Sequence, residues 1–264
     1  MGDVGESPYS PDTYAAWQDG AARSARAVLE VIWPLVAPQR VVDVGCGLGL
    51  WLAEAERRGA AVLRGFDGPW VEPGQLRSAA IRFTSVNLEQ GLPEDERYDL
   101  AISVEVAEHV SRDGADRFLD ALVRLSDVIV FSAAIPGQGG VSHVNEQWPS
   151  YWARRFAARG FSALDVVRPA VWTNGDVEWW YRQNLLLYVR DGSTAVDRAA
   201  LRTLERPPLD LVHPDLYDAK VAEILRVHER PDGRFAWQTV RRWLFGGPRR
   251  EPAEQVERPG HRAS

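Results

Sequence analysis

One stretch carries the clearest structural signal in this sequence: Val41-Val42-Asp43-Val44-Gly45-Cys46-Gly47-Leu48-Gly49. Its apolar, β-branched residues predict a buried strand, and a helical pattern begins at Leu50, directly after the last glycine. A strand followed by a tight glycine turn and a helix lets the backbone approach a nucleotide-like ligand closely, with helix N–H groups facing it. Glycines suit such a turn because a Cβ would occupy the ligand's space and because the turn often needs a positive φ. The stretch therefore predicts a ligand of this kind.

Acidic residues stand on both sides of the turn. Asp43 lies two places before the first glycine, and Asp67 ends the next predicted strand. The spacing G-x-G-x-G differs from the G-x-G-x-x-G of dinucleotide-binding folds. Taken with Asp43 and Asp67, it resembles motif I of class I S-adenosylmethionine (SAM) dependent methyltransferases. The resemblance covers about residues 38–190 and implies SAM as methyl donor and S-adenosylhomocysteine (SAH) as product.

Strand and helix patterns alternate along the chain. Strands are predicted at residues 40–44, 61–66, 81–83, 99–104, 127–132, 161–171 and 184–189. Helices are predicted at residues 11–37, 50–58, 113–125 and about 149–159. Such alternation predicts an α/β fold of the Rossmann-like type, with a seven-stranded, mostly parallel sheet and helices on both faces. No helix is predicted between the last two strands, so the last strand is expected to be antiparallel, as it is in the family resembled.

The predicted secondary structure and the composition change along the chain, which divides it into four predicted segments. Residues 1–37 are expected to form an N-terminal helical lid, and residues 38–190 the SAM-binding methyltransferase domain. Residues 191–246 are predicted to be a C-terminal helical extension. Residues 247–264, rich in Pro, Arg and Glu, are predicted to be a disordered tail.

Composition narrows the function classes. With 37 Asp and Glu against 31 Lys and Arg, the net charge of −6 gives no long-range attraction for nucleic acid or an anionic membrane. No apolar run reaches the roughly 20 residues of a membrane helix, and the acidic N-terminus does not resemble a signal peptide, so a cytoplasmic location is expected. The single cysteine, Cys46, excludes an internal disulfide and a cysteine-cluster metal site. No metal is expected, since no convincing set of acidic ligands clusters near the fourth strand; homo-oligomer formation stays open.

The cofactor is expected beyond the carboxyl ends of the strands, where ligands of open α/β sheets bind. The resemblance places there Asp43, Gly45, Cys46, Gly47, Gly49, Asp67, Gly68, Asn87, Leu88 and Glu105. It implies that Asp67 binds both ribose hydroxyls and that Asn87 and Leu88 contact the adenine ring. It also implies that Glu105 holds the methionine end. The simpler alternatives are turn residues at Asp67 and Asn87 and a solvated Glu105, while Cys46 is expected to be a buried packing residue rather than a reactive thiol.

Candidates for the chemistry follow the fourth and fifth predicted strands. The segment Glu105-Val106-Ala107-Glu108-His109-Val110 resembles the E-V-x-E-H-[VL] run of this superfamily, in which the Glu-His pair is often structural. Pro136-Gly137-Gln138-Gly139-Gly140 and His143-Val144-Asn145-Glu146-Gln147-Trp148 resemble a bacterial methyltransferase subgroup whose loop lies above the transferable methyl group. The catalytic candidates are therefore His143 as general base, Glu146 and His109. The alternatives are a loop histidine that orients Glu146 and a structural His109.

Acceptor-binding candidates are polar or aromatic residues of that loop and of the first helix. They are Tyr14, Trp17, Gln138, Asn145 and Trp148. Aromatic faces beside polar groups suit sugars and other cyclic polar molecules, whereas the alternative for the aromatic residues is core packing.

Several acceptor classes are disfavoured. Cytosine C5 transfer needs a cysteine nucleophile, and Cys46 lies in the cofactor turn. In place of the [N/D/S]-P-P-[Y/F] motif used on the amino groups of adenine or glutamine, the chain has Ser103-Val104-Glu105-Val106. A small-molecule or glycan hydroxyl is therefore the expected acceptor. A small-molecule amine is the alternative, and a non-catalytic SAM-binding regulatory or scaffold protein is the alternative of another class.

Overall fold

The computed structural model describes residues 11–93, 95–196 and 209–228, with side chains within residues 18–226. The chain divides into two compact units, one that ends at Tyr217 and one that begins at Asp218. The predicted tail lies outside the described residues, as do parts of the predicted lid and C-terminal extension. The division into four segments stays a prediction.

Strands and helices alternate along the described part of the chain, and the last helix crosses the boundary between the two units. The strands are β1 (Arg40–Val44), β2 (Val62–Asp67), β3 (Ile81–Ser85), β4 (Leu100–Val104), β5 (Val128–Ser132), β6 (Phe161–Leu164) and β7 (Leu186–Arg190). The helices are α1 (Pro11–Val36), α2 (Leu50–Arg57), α3 (Ala115–Leu125), α4 (Pro149–Ala157), α5 (Arg168–Val171), α6 (Trp179–Asn184) and α7 (Pro214–His228). The first five strands thus lie where the sequence predicts them, to within a residue or two at each end.

All seven strands form one sheet in the order β3-β2-β1-β4-β5-β7-β6. The pairs among β1 to β5 are parallel, and β7 is antiparallel to both of its neighbours. The predicted Rossmann-like, mostly parallel sheet with an antiparallel last strand is confirmed.

The prediction for residues 161–171 is wrong in its second half. β6 ends at Leu164, and Arg168–Val171 forms the helix α5 instead. Pro169 cannot donate to a strand ladder, and Arg168 is buried in an ion pair with Asp165, 2.6 Å between Nη2 and Oδ2. The prediction that no helix lies between the last two strands is also wrong, because α5 and α6 lie between β6 and β7.

The sheet is covered on both faces because alternate side chains of each strand point in opposite directions. In β1, Val41 packs in the core cluster that includes buried residues of α1 and α2, such as Leu29 and Leu52. Its neighbour Val42 packs in the second cluster, which includes Phe118 of α3. Buried strands of this kind read as continuous apolar runs, which is why β1 was recognisable in the sequence.

The direction of β7 decides which residues meet at the edge of the sheet. Because β7 is antiparallel to β5, its first residues lie at the edge where the parallel strands end. Asn184, at the end of α6, is thereby brought beside Glu105, which follows β4. Within the part of the chain that the structure describes, no helix is both long and apolar enough for a membrane span.

Candidate active site

The glycine turn after β1 has the geometry that its sequence predicts. Gly45, Gly47 and Gly49 have φ values of 85°, 50° and 75°. A Cβ at Gly45 would lie 2.3 Å from Val106, so that glycine is needed for packing, whereas a Cβ at Gly47 would meet no atom within 4 Å. The space above Gly47 is open, as a bound ligand requires.

Asp67, at the end of β2, is buried beside this turn. Its Oδ2 accepts a hydrogen bond from the N–H of Gly47 at 2.7 Å, and its Oδ1 accepts one from the N–H of Gly68 at 2.6 Å. Burial raises the pKa of Asp67, and these backbone hydrogen bonds oppose the rise. The side chain of Trp70 is a further hydrogen-bond partner of this carboxylate. Each carboxylate oxygen has two lone pairs, so a ligand hydroxyl can share the group with these donors. The ring of Trp70, which the sequence reasoning left in an unassigned loop, lies against Gly68 and is 76% exposed.

Asn87 and Leu88 follow β3, at the expected edge of the sheet. Oδ1 of Asn87 accepts a hydrogen bond from the N–H of Glu89 at 3.0 Å and caps a short 3-10 turn. Leu88 is partly buried and packs against the second core cluster. Neither residue lines the cavity described next, so their predicted contact with adenine stays a prediction.

A cavity of about 560 Å³ opens beside the glycine turn. The residues that line it belong to the glycine turn, the carboxyl end of β4 and the loop after β5, together with aromatic residues of α2 and α6. The predicted residues that line it are Gly45, Cys46, Gly47, Glu105, His109, Gln138 and His143. The sequence reasoning missed Glu108 as a lining residue, and Trp51 was not singled out. The volume is in the range of small-molecule and cofactor sites.

Glu105 lies at the centre of an amide network. Its backbone is in the left-handed region, with a φ of 54°. Oε2 accepts a hydrogen bond from Nε2 of Gln138 at 2.9 Å, and Oε1 accepts one from Nδ2 of Asn184 at 3.2 Å. Burial raises the pKa of Glu105 in spite of these bonds. No local pattern points to Asn184 as a site residue, and it ends α6 rather than beginning the last strand as predicted.

The loop after β5 is held closed by Glu146. Its Oε2 accepts a hydrogen bond from the N–H of Gly137 at 2.8 Å, and its Oε1 accepts one from the N–H of Gly139 at 2.8 Å. Oε1 also lies 3.0 Å from Nδ1 of His143. Burial alone would raise the pKa of Glu146, but the hydrogen bonds from His143, Gly137 and Gly139 outweigh it and hold the pKa below its usual value. The carboxylate therefore keeps a proton on Nδ1 and leaves Nε2 of His143 as the free acceptor.

Two further residues face His143. The His109 and His143 rings meet edge to face, with centroids 4.9 Å apart, and Nδ1 of His109 lies 3.3 Å from the carbonyl oxygen of Ser142. Glu108 is 1% exposed, and its Oε1 lies 4.0 Å from Nε2 of His143. Burial and the neighbouring Glu105 raise the pKa of Glu108 well above its usual value.

Other predicted residues lie away from the cavity walls. Asn145 is buried, with its N–H bonded to the Glu108 carbonyl at 3.0 Å, and Trp148 precedes α4. Asp43 is buried under the turn with neither carboxylate oxygen hydrogen-bonded, and burial followed by the nearby Asp67 raises its pKa. Cys46, by contrast, does line the cavity, and burial raises the pKa of its thiol. The side chains of Tyr14 and Trp17 lie outside the described residues.

The residues at the turn fit the cofactor that the sequence implies. The open space at Gly47 admits a ligand against the backbone. Asp67 does not line the cavity itself but lies directly behind the turn, with Oδ2 2.7 Å from the Gly47 nitrogen. Glu105 adds a half-buried acidic group that lines the cavity, after β4, the neighbour of β1 on the side away from β2. Such a set suits a ribose diol at one end and an ammonium group at the other.

Comparison with known proteins agrees with this geometry. A family model described as a methyltransferase domain matches residues 15–165. The sequence matches no curated protein.

Solved structures share the fold at low identity. Magnesium protoporphyrin IX methyltransferase from Synechocystis PCC 6803 with bound SAH is 18% identical, with a TM-score of 0.50 over 71% of this chain and 90% of that chain. The DhpI–SAH complex is 18% identical, with a TM-score of 0.51 over 69% and 89%. The [4+2]-cyclase SpnF is also 18% identical, with a TM-score of 0.50 over 72% and 88%. The fold thus accommodates more than one reaction.

Proposed function

Since the chain belongs to the methyltransferase-domain family, as a class I SAM-dependent enzyme, we propose that its acceptor is a hydroxyl group of a small molecule, sugar or glycan. Family membership rests on the match over residues 15–165, and the sheet order agrees with it. The acceptor class is the proposed part and rests on the side chains around the cavity.

The turn and the strand ends supply the cofactor contacts. When bound, SAM supplies a methyl group on a positively charged sulfur. We assign the ribose to Asp67, whose two oxygens are positioned by the N–H groups of Gly47 and Gly68. We assign the methionine end to Glu105, which Gln138 and Asn184 hold in place.

The observation that carries the proposal is the position of His143. This residue lines the same cavity as Gly45 and Gly47, and Glu146 holds its Nδ1 at 3.0 Å. Nε2 is therefore available to accept a proton from a hydroxyl during methyl transfer. A hydroxyl acceptor benefits from a base with a pKa near the working pH, whereas alignment alone serves a neutral amine. An oriented histidine consequently favours the hydroxyl.

Aromatic side chains support a cyclic, polar acceptor. The same cavity that the polar loop lines is also lined by Trp179, Trp180 and Tyr181 of α6 and by Trp51 of α2. Aromatic faces that oppose polar groups bind the apolar faces and polar edges of sugars and similar rings. The predicted contribution of Tyr14 and Trp17 to this wall stays a proposal.

The test is a screen with SAM that carries a deuterated methyl group. Hydroxylated small molecules, sugars and matched amines are incubated with the enzyme, and mass spectrometry detects acceptors that gain the label. Fragmentation locates the label on oxygen or nitrogen, and label found only on nitrogen would overturn the hydroxyl proposal. The Asp67→Ala variant is the control. An acceptor that gains the label equally with this variant has been methylated without the proposed cofactor site. SAM binding by calorimetry with no transfer to any acceptor would favour the non-catalytic alternative.

A further inference from the structure

We propose that Glu108, His109 and His143 form a binding site for one divalent transition-metal ion. One ligand atom from each of these residues lies within 4.8 Å of the others. All three residues line the cavity beside the glycine turn. The proposal reverses the sequence-based expectation that no metal binds, because that expectation considered acidic clusters and not histidines from a separate loop.

Both histidines present the same nitrogen to the site. The Ser142 carbonyl, 3.3 Å from Nδ1 of His109, can only accept a hydrogen bond, so Nδ1 carries the proton. Oε1 of Glu146, 3.0 Å from Nδ1 of His143, fixes that ring in the same way. Each ring therefore has Nε2 free with its lone pair. Metal-binding histidines usually donate their other N–H to a carbonyl or a carboxylate, as these two do.

Glu108 is the third ligand and has an unsatisfied oxygen. The residue is 1% exposed, yet its Oε2 has no hydrogen-bond partner. A buried polar atom without a partner is costly, and a cation at the site would supply one. Besides His143, whose Nε2 lies 4.0 Å from Oε1, the titratable groups that act on Glu108 are the acidic Glu105 and Glu146, so the electrostatic surroundings also favour a cation.

The backbone ties the two ligand-bearing segments together. The N–H groups of Val144 and Asn145 donate to the carbonyl oxygen of Glu108 at 2.9 and 3.0 Å. The loop that carries His143 is thus fastened to the turn that carries Glu108 and His109. These contacts keep the two segments side by side, so ion binding requires only that the three ligand atoms, within 4.8 Å of one another, move closer together.

The ligand types identify the class of ion. Two imidazoles and one carboxylate suit Zn²⁺, Mn²⁺, Fe²⁺ or Co²⁺, whereas Mg²⁺ and Ca²⁺ prefer oxygen ligands. Three protein ligands leave coordination positions open toward the cavity, as in catalytic rather than structural sites. One nitrogen cannot hold an ion and accept a proton at once. In the metal-loaded protein His143 would therefore be a ligand, and its role as the base would apply to the metal-free protein; this consequence rests on the proposed function, whereas the site does not.

The test measures Co²⁺ binding to the untagged, full-length protein after treatment with a chelator. Visible absorption during the titration reports coordination, and we expect one ion per chain. Glu108→Gln and His109→Gln should each weaken binding at least about tenfold, and Glu146→Gln should weaken it by about 10- to 100-fold because it orients a ligand. Glu72→Gln, an exposed carboxylate elsewhere, should bind as the wild type does.

Two results would overturn the site. One is a wild-type protein without a Co²⁺ signal, and the other is unchanged binding in both Glu108→Gln and His109→Gln. Calorimetry with SAM on the same samples separates this proposal from the proposed function. Loss of SAM binding would count against the cofactor site, while Co²⁺ binding reports on the three ligands alone.

Discussion

Oδ2 of Asp67 accepts a hydrogen bond from the backbone N–H of Gly47 at 2.7 Å, which joins the end of β2 to the glycine turn after β1. The residue that the sequence predicts as a ribose ligand therefore also fixes the turn on which the ligand lies. Oδ1 is held similarly by the N–H of Gly68 at 2.6 Å. Both oxygens are thus positioned before any ligand arrives, and preorganised groups bind at a lower entropic cost.

Replacing Asp67 by Ala should weaken SAM binding about tenfold or more, because two charge-assisted hydrogen bonds to the ribose are lost. Isothermal calorimetry gives the dissociation constant. The exposed Asp113→Ala is the control for a lost carboxylate and should bind SAM as the wild type does. An unchanged dissociation constant in Asp67→Ala would show that the carboxylate only stabilises the turn.

A matched pair of glycines separates backbone strain from loss of ligand space. Gly47 and Gly59 have φ values of 50° and 96°, and a Cβ at either would meet no atom within 4 Å. Only Gly47 lines the cavity. Alanine at either position should lower the free energy of unfolding by about 1–2 kcal/mol through left-handed strain. Gly47→Ala alone should also abolish SAM binding; equal SAM affinity in the two variants would place the cofactor elsewhere.

Glu105→Gln should weaken the binding of ligands that carry the amino-acid part of SAM and leave the binding of ligands without it unchanged. The change removes the acidic group that we assign to the methionine ammonium, and it places an amide donor against Gln138 or Asn184. We expect SAM and SAH to bind about tenfold more weakly or worse. Methylthioadenosine, which lacks the amino-acid part, should bind as to the wild type. An equal loss for methylthioadenosine would mean that Glu105 supports the whole pocket instead.

His143→Ala should lower turnover by about 100-fold or more in chelator-treated enzyme, with the dissociation constant of SAM unchanged, because general-base catalysis is lost. Glu146→Gln should have a smaller effect on turnover, since Glu146 positions the ring and the loop but does not accept the proton itself. Added imidazole should restore part of the His143→Ala rate. Steady-state kinetics with an acceptor from the deuterium screen measures these rates, and wild-type turnover in His143→Ala would remove it as the base.

Asp127 should contribute stability that depends on pH. Burial raises the pKa of this carboxyl, but hydrogen bonds from Arg190 and Arg97 outweigh burial and lower it below 3.8. A lowered folded pKa means that the stabilisation is complete above 3.8 and disappears as the pH falls through the folded value. Asp127→Asn should therefore cost about 1 kcal/mol or less at pH 7, since the pair is partly solvated, and progressively less in acid. Urea unfolding at several pH values, with Asp113→Asn as control, measures the difference.

Local sequence patterns were enough to predict the turn, five strands and the order of the motifs. The β-branched run before Gly45 and the glycines after it act through short-range sterics and strand propensity, which neighbouring residues carry with them. Asp67 was recognisable because the carboxyl ends of parallel strands meet at one edge of the sheet. These features need no knowledge of distant contacts.

Other parts of the site depend on contacts between residues far apart in the chain. Asn184 meets Glu105 only because β7 enters the sheet antiparallel to β5, and two short helices that no pattern predicted place it there. Glu108 and His143 likewise come together because the N–H groups of Val144 and Asn145, in the loop after β5, donate to the carbonyl oxygen of Glu108. The sequence alone thus determined the fold class through local patterns, and it implied the methyl donor through the resemblance of its motifs to class I methyltransferases. The tertiary structure determined which polar side chains face one another, because packing and non-local hydrogen bonds set those distances.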